Sequence, residues 1–571
     1  MTVSGLDLES PPDGLRIERP LPVLVLLRKD DLTEHELRLV GAEPSRWLLE
    51  PRDEERLEEV IVAMRGEAQR ILVIDVRVTA ASEPVVVEGP ASLGREADTL
   101  AAGLEVLDCP VQVDLRDESS SVENENDLGA MVLSLGLPAI WRDSGTMAFP
   151  LEFRRARHAL SRSLRDTTHC FAGRHTAQRG KSAAWFGRHR LDEASKKADR
   201  ILGEVASRFS FLMSVTPYNL AEAWADYVSS GKEQPPELHY RPVAVDPDAC
   251  RKRLWEAPIE DVDDPTVEAL LRAQRDSLDE QLFMIGHRCT PSFRLGSLRL
   301  YGAVEPETLE VARGLIGIAN GTAPDGGRSV DAQEFCQLVR EELVHYEHDG
   351  CEIDDDVDSL IVERGRVVVG RHFRCSMQRA KALIAHEVGT HVVTYLNARH
   401  QPLVQLSVGL PGYDELQEGL AVLAEYLVGG LTVDRLRLLA ARVIAVCAQI
   451  DGAELVEIQR LLEKDCGLGP RLAFSSAVRV CRGGGLSKDA VYLRGLLRLL
   501  RYLDGGGAIA PLLVGKLAAP HVSMVEELME RGIVVPPRIV PRHFDTDEGT
   551  ARMARLRDGA SLFDLVEGKA A

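Results

Sequence analysis

The sequence predicts an α+β protein, with a small N-terminal α/β domain ahead of a mainly helical domain that carries a short antiparallel β element beside one long helix. Three observations predict this. Up to about residue 150, runs rich in Val, Ile and Leu alternate with amphipathic stretches of helical spacing. From Leu191 onward the apolar pattern is mostly helical. The exception is Ser359–Glu363 and Arg366–Gly370, which flank Arg364-Gly365 as two strands flank a tight hairpin turn. A chain of 571 residues is long enough for two or more domains. The expected divisions are 1–150 for the α/β domain, 151–190 for a basic helical connector and 191–571 for the helical domain.

In the first domain, Val23–Leu27, Ile71–Val78, Val85–Val87 and Val111–Leu115 read as strands, being short and rich in β-branched residues. Arg52–Gly66 and Leu93–Leu107 have helical spacing. There is no glycine-rich phosphate loop and no catalytic constellation in this region. Residues 151–200 then hold 13 Lys and Arg against 5 Asp and Glu, reversing the balance of the chain. A patch that docks an acidic partner and a basic helical connector lying against acidic neighbours both fit. The connector is preferred, because charge runs are usually solvated faces. Helices follow at Leu191–Phe211, Pro265–Ile285, Pro306–Ala319 and Ala332–Tyr346.

Bulk properties narrow the function. A net charge of −21 argues against a nucleic-acid or anionic-membrane binder, since both need dense positive faces. Met1–Gly14 is polar and acidic, with no secretory signal pattern, and no apolar run approaches the roughly 20 residues a bilayer span requires. Ten cysteines contain no C-x-x-C pair, so all ten are expected as reduced thiols in a cytoplasmic protein.

The chemistry lies downstream of the hairpin. Asp354, Asp355, Asp356 and Asp358 lack calcium-loop spacing and read as solvated turn residues. The hairpin could hold an extended substrate by strand addition or be purely structural. Ser376 is a good N-cap, and a helix is expected from there to about Asn397. It contains His386-Glu387-Val388-Gly389-Thr390-His391, one residue longer than the usual His-Glu-x-x-His. In a regular α-helix positions five apart point about 140° from each other, so the two imidazoles could share an ion only across a widened turn. A π-type turn at Val388–Thr390, eased by Gly389, would restore one face. A second helix is expected from near Glu415 to Gly429-Gly430, placing Glu418 in its first turn, where the helix dipole favours a carboxylate. His386, His391 and Glu418 then form the three-ligand set of a catalytic site for one Zn2+, with Glu387 as general base. Glu425, seven residues beyond Glu418, could orient a ligating imidazole, be an alternative ligand, or face solvent.

These residues, with Thr216-Pro217-Tyr218-Asn219, His239-Tyr240-Arg241-Pro242, Gly412 to Ala421, Arg479 to Gly484 and Lys488 to Leu493, resemble the QEGLA-motif proteins. In bacteria that family is named flavohaemoglobin-expression-modulating, and it shares its catalytic domain with the microtubule-associated tyrosine carboxypeptidases of eukaryotes. The resemblance spans roughly Ser207 to Leu565. It implies a zincin-like metallopeptidase that removes a C-terminal residue, with zinc on His386, His391 and Glu418 and catalysis at Glu387. The N-terminal region resembles that of the longer bacterial members, which speaks against a tubulin substrate.

A carboxypeptidase must hold its substrate's terminal carboxylate. Arg479 and Arg482, beside a flexible Gly483-Gly484-Gly485, are candidates, with Lys488 behind them. Tyr413 and Tyr492 could donate a hydrogen bond to the oxyanion. The expected partner is thus a peptide or protein C-terminus, with no nucleic acid and no membrane. Competing readings are a regulatory protein with a structural zinc site and an amidase acting on a small modified peptide.

Overall fold

The computed structural model describes residues 11–65, 70–116, 130–318, 328–355, 357 and 360–567. Gly66, Ala319, Asp356, Asp358, Ser359 and the start of the Met1–Gly14 segment lie outside the described residues. The protein is 56% helical with about 13% strand, the α+β class expected. It divides into two compact units: Met1–Lys196 with Pro258–Ala269 and Glu526–Val534, and Lys197–Ala257 with Leu270–Val525 and Val535–Ala571.

The first unit is built on a seven-stranded mixed sheet in the order β1-β3-β2-β4-β7-β5-β6. The strands are β1 (Leu15–Ile17), β2 (Val23–Arg28), β3 (Ser45–Leu49), β4 (Ile71–Thr79), β5 (Val85–Pro90), β6 (Val111–Arg116) and β7 (Ala130–Pro138). β3, β2, β4 and β7 run parallel, and parallel strands need both faces covered. Their side chains alternate accordingly. Val23, Val25, Leu27, Leu72, Ile74 and Val76 pack against α2 (Gly94–Ala102) and α3 (Pro150–His175). Leu24, Leu26, Ile71 and Val73 pack against α1 (Leu57–Arg65) on the other face. All four expected strands form; the central β7 was not expected, because Gly136 and Pro138 punctuate its apolar run. The first half of the basic segment forms α3, which buries Phe153, Leu160, Leu164 and Phe171 in this core. Its arginines meet acids: Arg157 pairs with Glu268, Arg165 Nη1 with Glu527 at 2.6 Å, and Arg174 Nη1 with Glu96 at 2.5 Å.

The second unit is largely helical. Along the chain, helices occur at Glu193–Ala206 and Pro265–Gly286, which both begin in segments of the first unit, and at Pro306–Gly317 and α4 (Ala332–Val344), as the periodicity predicts. Its three-stranded sheet has the order β8-β10-β9, with β8 (Cys351–Asp354), β9 (Leu360–Glu363) and β10 (Arg366–Gly370). β9 and β10 form the expected hairpin, with Arg364 and Gly365 both at positive φ (48° and 79°), as a type I′ turn requires. β10 is central, and β8 and β9 are both edge strands. Cys336 on α4 and Cys351 on β8 form a disulfide, which corrects the expectation of ten reduced thiols. Sequence spacing could not reveal the pair, since it follows from α4 folding back beside β8. No helix among the described residues is long and apolar enough to cross a membrane.

The residues of interest lie on or between α5 (Met377–His386), α6 (Val393–Ala398), α7 (Tyr413–Leu427), α8 (Val433–Ile450), α9 (Pro470–Cys481) and α10 (Val491–Asp504). Ser376 caps α5 by accepting from the Arg379 amide. α7 and α10 cross at a pair of glycines. A Cβ on Gly419 would lie 2.7 Å from the Gly495 carbonyl carbon, and one on Gly495 would collide with the Glu415 carbonyl oxygen. Glu415 ties the same crossing through Arg494 Nε at 2.6 Å and Arg498 Nη1 at 2.7 Å. Gly495→Ala should therefore destabilise the fold by about 3 kcal/mol or more, since backbone and not a flexible side chain must move. Thermal unfolding measures this, and an unchanged Tm would rule out so close a crossing.

Candidate active site

The long helix that starts at Met377 is not regular. Between α5 and α6, Glu387–Val392 forms a π-helical turn, where the six-residue motif predicts one. Thr390 Oγ1 points back to the Ala385 carbonyl at 3.5 Å, five residues earlier. The widened turn brings the imidazoles of His386 and His391 to a centroid separation of 5.2 Å. Gly389 has a further reason to be glycine. A Cβ there would lie 2.8 Å from Cε1 and 2.9 Å from Nδ1 of His543. Behind the turn, Val388, Val392 and Val393 pack into an apolar core with Phe335, Val339, Val367 and Val369.

Glu418 faces both imidazoles. Its Oε2 is 3.8 Å from His386 Nε2 and 3.9 Å from His391 Nε2. Three atoms sharing one tetrahedral ion at bonds of about 2.0–2.1 Å would stand about 3.4 Å apart, so Glu418 Oε2 would close on each imidazole by a few tenths of an ångström around zinc. Donor chemistry agrees, since two imidazoles and a carboxylate suit zinc and leave a position open. Glu387 Oε1 lies 4.0 Å from His386 Nε2, and the ligand atoms of His386, Glu387 and His391 all lie within 4.8 Å of one another. Two carboxylates, Glu418 and Glu387, thus stand within reach of a third position beside the imidazoles, Glu418 Oε2 being slightly the nearer to His386 Nε2.

Helix α7 begins at Tyr413, two residues before the expected start, so Glu418 lies in its second turn and beyond the reach of the helix dipole. Side chains hold its charge instead. Burial opposes ionisation of Glu418, but His391, Lys488 and His386 outweigh it and keep the carboxyl below its ordinary pKa. At His386, burial is likewise outweighed by Glu387, Glu425 and Glu418, raising its pKa; at His391 burial prevails and lowers it.

Glu425 is fully buried and accepts from His386 Nδ1 at 2.8 Å. Arg379 Nη1 at 2.5 Å and Arg435 Nη2 at 3.2 Å also donate to it. Of the three roles the sequence allowed, this is the geometry of an imidazole-orienting carboxylate. Neither arginine was singled out from sequence; an Arg paired with a buried acid on another helix leaves no local signal.

The cationic candidates are engaged within the protein. Arg479 holds Asp489 through Nε at 2.6 Å and Nη2 at 2.9 Å. Arg482 donates from Nη1 to Thr216 Oγ1 at 2.9 Å, and Lys488 Nζ is 3.0 Å from Asp414 Oδ1. Gly483-Gly484-Gly485 is a packed turn and not a flexible one: the Gly483 amide donates to Tyr240 Oη at 3.0 Å, its carbonyl accepts from the Cys289 amide at 2.7 Å, and its Cα abuts Phe293. Pro217 and Tyr240 pair in a β-bridge, so the motifs quoted from 216–219 and 239–242 meet each other and this turn. Tyr413 and Tyr492 both feel the charge of Glu418. Lys516, which the sequence reading passed over, stands with Nζ 5.3 Å from the Tyr413 ring centroid.

A family model described as microtubule-associated tyrosine carboxypeptidase matches residues 225–560. The chain belongs to that family. The match takes in the π turn, Glu418, Glu425 and the Arg479–Tyr492 segment, the residues just described. The tyrosine carboxypeptidase family is one of peptidases acting on a peptide or protein chain end. No curated protein and no solved structure matches the sequence.

His543, packed on the π turn, offers a test of that packing. Burial lowers its pKa from the ordinary 6.5 to about 4. The folded state therefore resists a proton that the unfolded chain accepts, so stability present above about pH 6.5 is lost as pH falls towards about 4. Replacing His543 by Gln should flatten the stability profile in that window, measured by denaturant unfolding at stepped pH; an unaltered profile would exclude a buried neutral His543.

Proposed function

We propose that the protein is a zinc-dependent carboxypeptidase that removes a C-terminal residue from a peptide or protein, tyrosine being the residue the family name indicates. The observation that carries this reading is the triangle of His386 Nε2, His391 Nε2 and Glu418 Oε2, with Glu387 beside it on the π turn. The Gln417-Glu418-Gly419-Leu420-Ala421 segment further aligns the chain with the QEGLA-motif branch.

His386, His391 and Glu418 would hold the ion, and Glu425 would keep the His386 ring oriented through its Nδ1–H. Bound zinc is a Lewis acid that polarises a carbonyl and lowers the pKa of water towards neutrality. Glu387 acts as general base, accepting a proton from the attacking water at its carboxylate and handing it to the departing amine. Tyr413 and Tyr492 are held protonated at neutral pH, the first by the charge of Asp414 and by burial, the second by burial and the charge of Glu418. Each phenol can therefore donate a hydrogen bond to the oxyanion as charge develops. The cations around Asp489 and Asp414 supply the positive field that a terminal carboxylate needs. The edge strand β9 supports strand addition of the extended peptide.

A structural zinc site has no use for a general base, so Glu387 favours hydrolysis over a purely regulatory role. An amidase is separated from an exopeptidase by substrates with amidated ends, which an exopeptidase refuses.

Mass-spectrometric profiling of a random-C-terminus peptide library tests the reading. The wild type should shorten free-acid peptides by one residue. Glu387→Gln should keep the fold and one equivalent of zinc while losing about 10²–10⁴-fold in rate. A library left intact by the wild type would overturn the proposal. Glu425→Gln should weaken zinc binding about 10–100-fold in chelator competition, and unchanged affinity would remove Glu425 from the orienting role.

A further inference from the structure

Four cations in the second unit, Arg442, Arg479, Arg482 and Lys488, form their ion pairs with Asp489 and Asp414, and Lys488 also feels the charge of Glu418. Three of the four have partners within hydrogen-bond distance: Arg479 grips both oxygens of Asp489, Arg482 reaches Thr216, and Lys488 reaches Asp414. Arg442 does not. Its Nε is 3.9 Å from Asp489 Oδ2, outside bonding distance, and is buried without a hydrogen-bond partner. Among the described residues no acceptor takes its terminal nitrogens either, although only 13% of the side chain is exposed. Its guanidinium carbon lies 5.6 Å from the ring centroid of Tyr492, the phenol acted on by the charge of Glu418.

Position on the helix adds a second argument. Arg435 and Arg442 both lie on α8, seven residues apart and so on one face, about 10.5 Å along the axis. Arg435 bonds Glu425 behind His386, so α8 runs from the imidazole-orienting carboxylate to the cation cluster. A nearly buried guanidinium with an unfilled fork wants a planar anion, and a carboxylate fills that fork with two parallel bonds.

We propose that Arg442 is the residue that receives the terminal carboxylate of the bound peptide, while Arg479 is held by Asp489 as a supporting charge. This rests on the carboxypeptidase reading above and assigns its specificity for a free chain end to a residue outside the motifs. Burial and the charge of Arg479 lower the Arg442 pKa to about 10, which leaves it charged at neutral pH.

The test is equilibrium retention, not turnover. Zinc-loaded full-length Glu387→Gln protein is challenged with a random-C-terminus peptide pool, as free acids and as the same pool amidated, and retained peptides are counted by mass spectrometry. Free acids should be enriched about 10-fold or more over amides. Adding Arg442→Ala should abolish that enrichment at unchanged zinc content and Tm. Arg442→Lys, which keeps the charge without the fork, should retain only part of it and serves if the alanine variant fails to fold. Enrichment that survives undiminished in the substituted protein would overturn the role of Arg442 alone. No enrichment in the parent would overturn the free-carboxylate reading and this assignment with it.

Discussion

The second unit depends on one local constraint, a helix that must admit an extra residue between two histidines. With five residues from His386 to His391, a regular α-helix would point the imidazoles apart. The π turn at Glu387–Val392 removes that conflict, but a π turn is intrinsically poor and persists only where its surroundings over-determine it. Those surroundings are visible. Val388, Val392 and Val393 anchor one side in the core shared with α4 and β10, while the His543 ring presses on the Cα of Gly389. The helix thus has regular turns on both sides of a distortion clamped by packing.

Around this turn the charges are arranged so that few are left alone. Glu425, out of contact with water, is held by Arg379, Arg435 and His386. Asp489 is held by Arg479, with two more arginines within 3.9 Å. Unpaired, either carboxylate would be expensive to bury. Glycine does complementary work where backbones meet. Gly419 in the Gln-Glu-Gly-Leu-Ala segment and Gly495 on α10 let two helices approach to backbone contact, which sets where Glu418 stands. A glycine next to Glu418 could be taken for a hinge; here it marks a crossing.

Much was legible locally because helical and strand periods report which residues share a face. The early strands, the hairpin at Arg364-Gly365, the Ser376 cap and the widened turn all follow from spacing or from one residue type. What failed shares one cause, dependence on sequence-distant partners. β7 is central because the sheet closes around it, despite its glycine and proline. The start of α7 moved to Tyr413, which takes Glu418 out of the first turn and leaves its charge to His391, Lys488 and His386. Cys336 and Cys351 pair because a helix folds back on a strand, and the triple glycine is packed because Tyr240, Cys289 and Phe293 close on it.

By itself, the sequence determined the α+β class, the order of the main elements, the kinship carried by its motifs and the need for a widened turn, since each depends on neighbours along the chain. Only the tertiary structure decided which charges remain available. Arg479, Arg482 and Lys488 looked equally free as residue types, yet each has a hydrogen-bonding partner from another segment, while Arg442, which no motif contains, has Asp489 only at 3.9 Å and its buried Nε makes no hydrogen bond. Pairing is a property of three-dimensional proximity at a few ångströms, and linear spacing carries no measure of it.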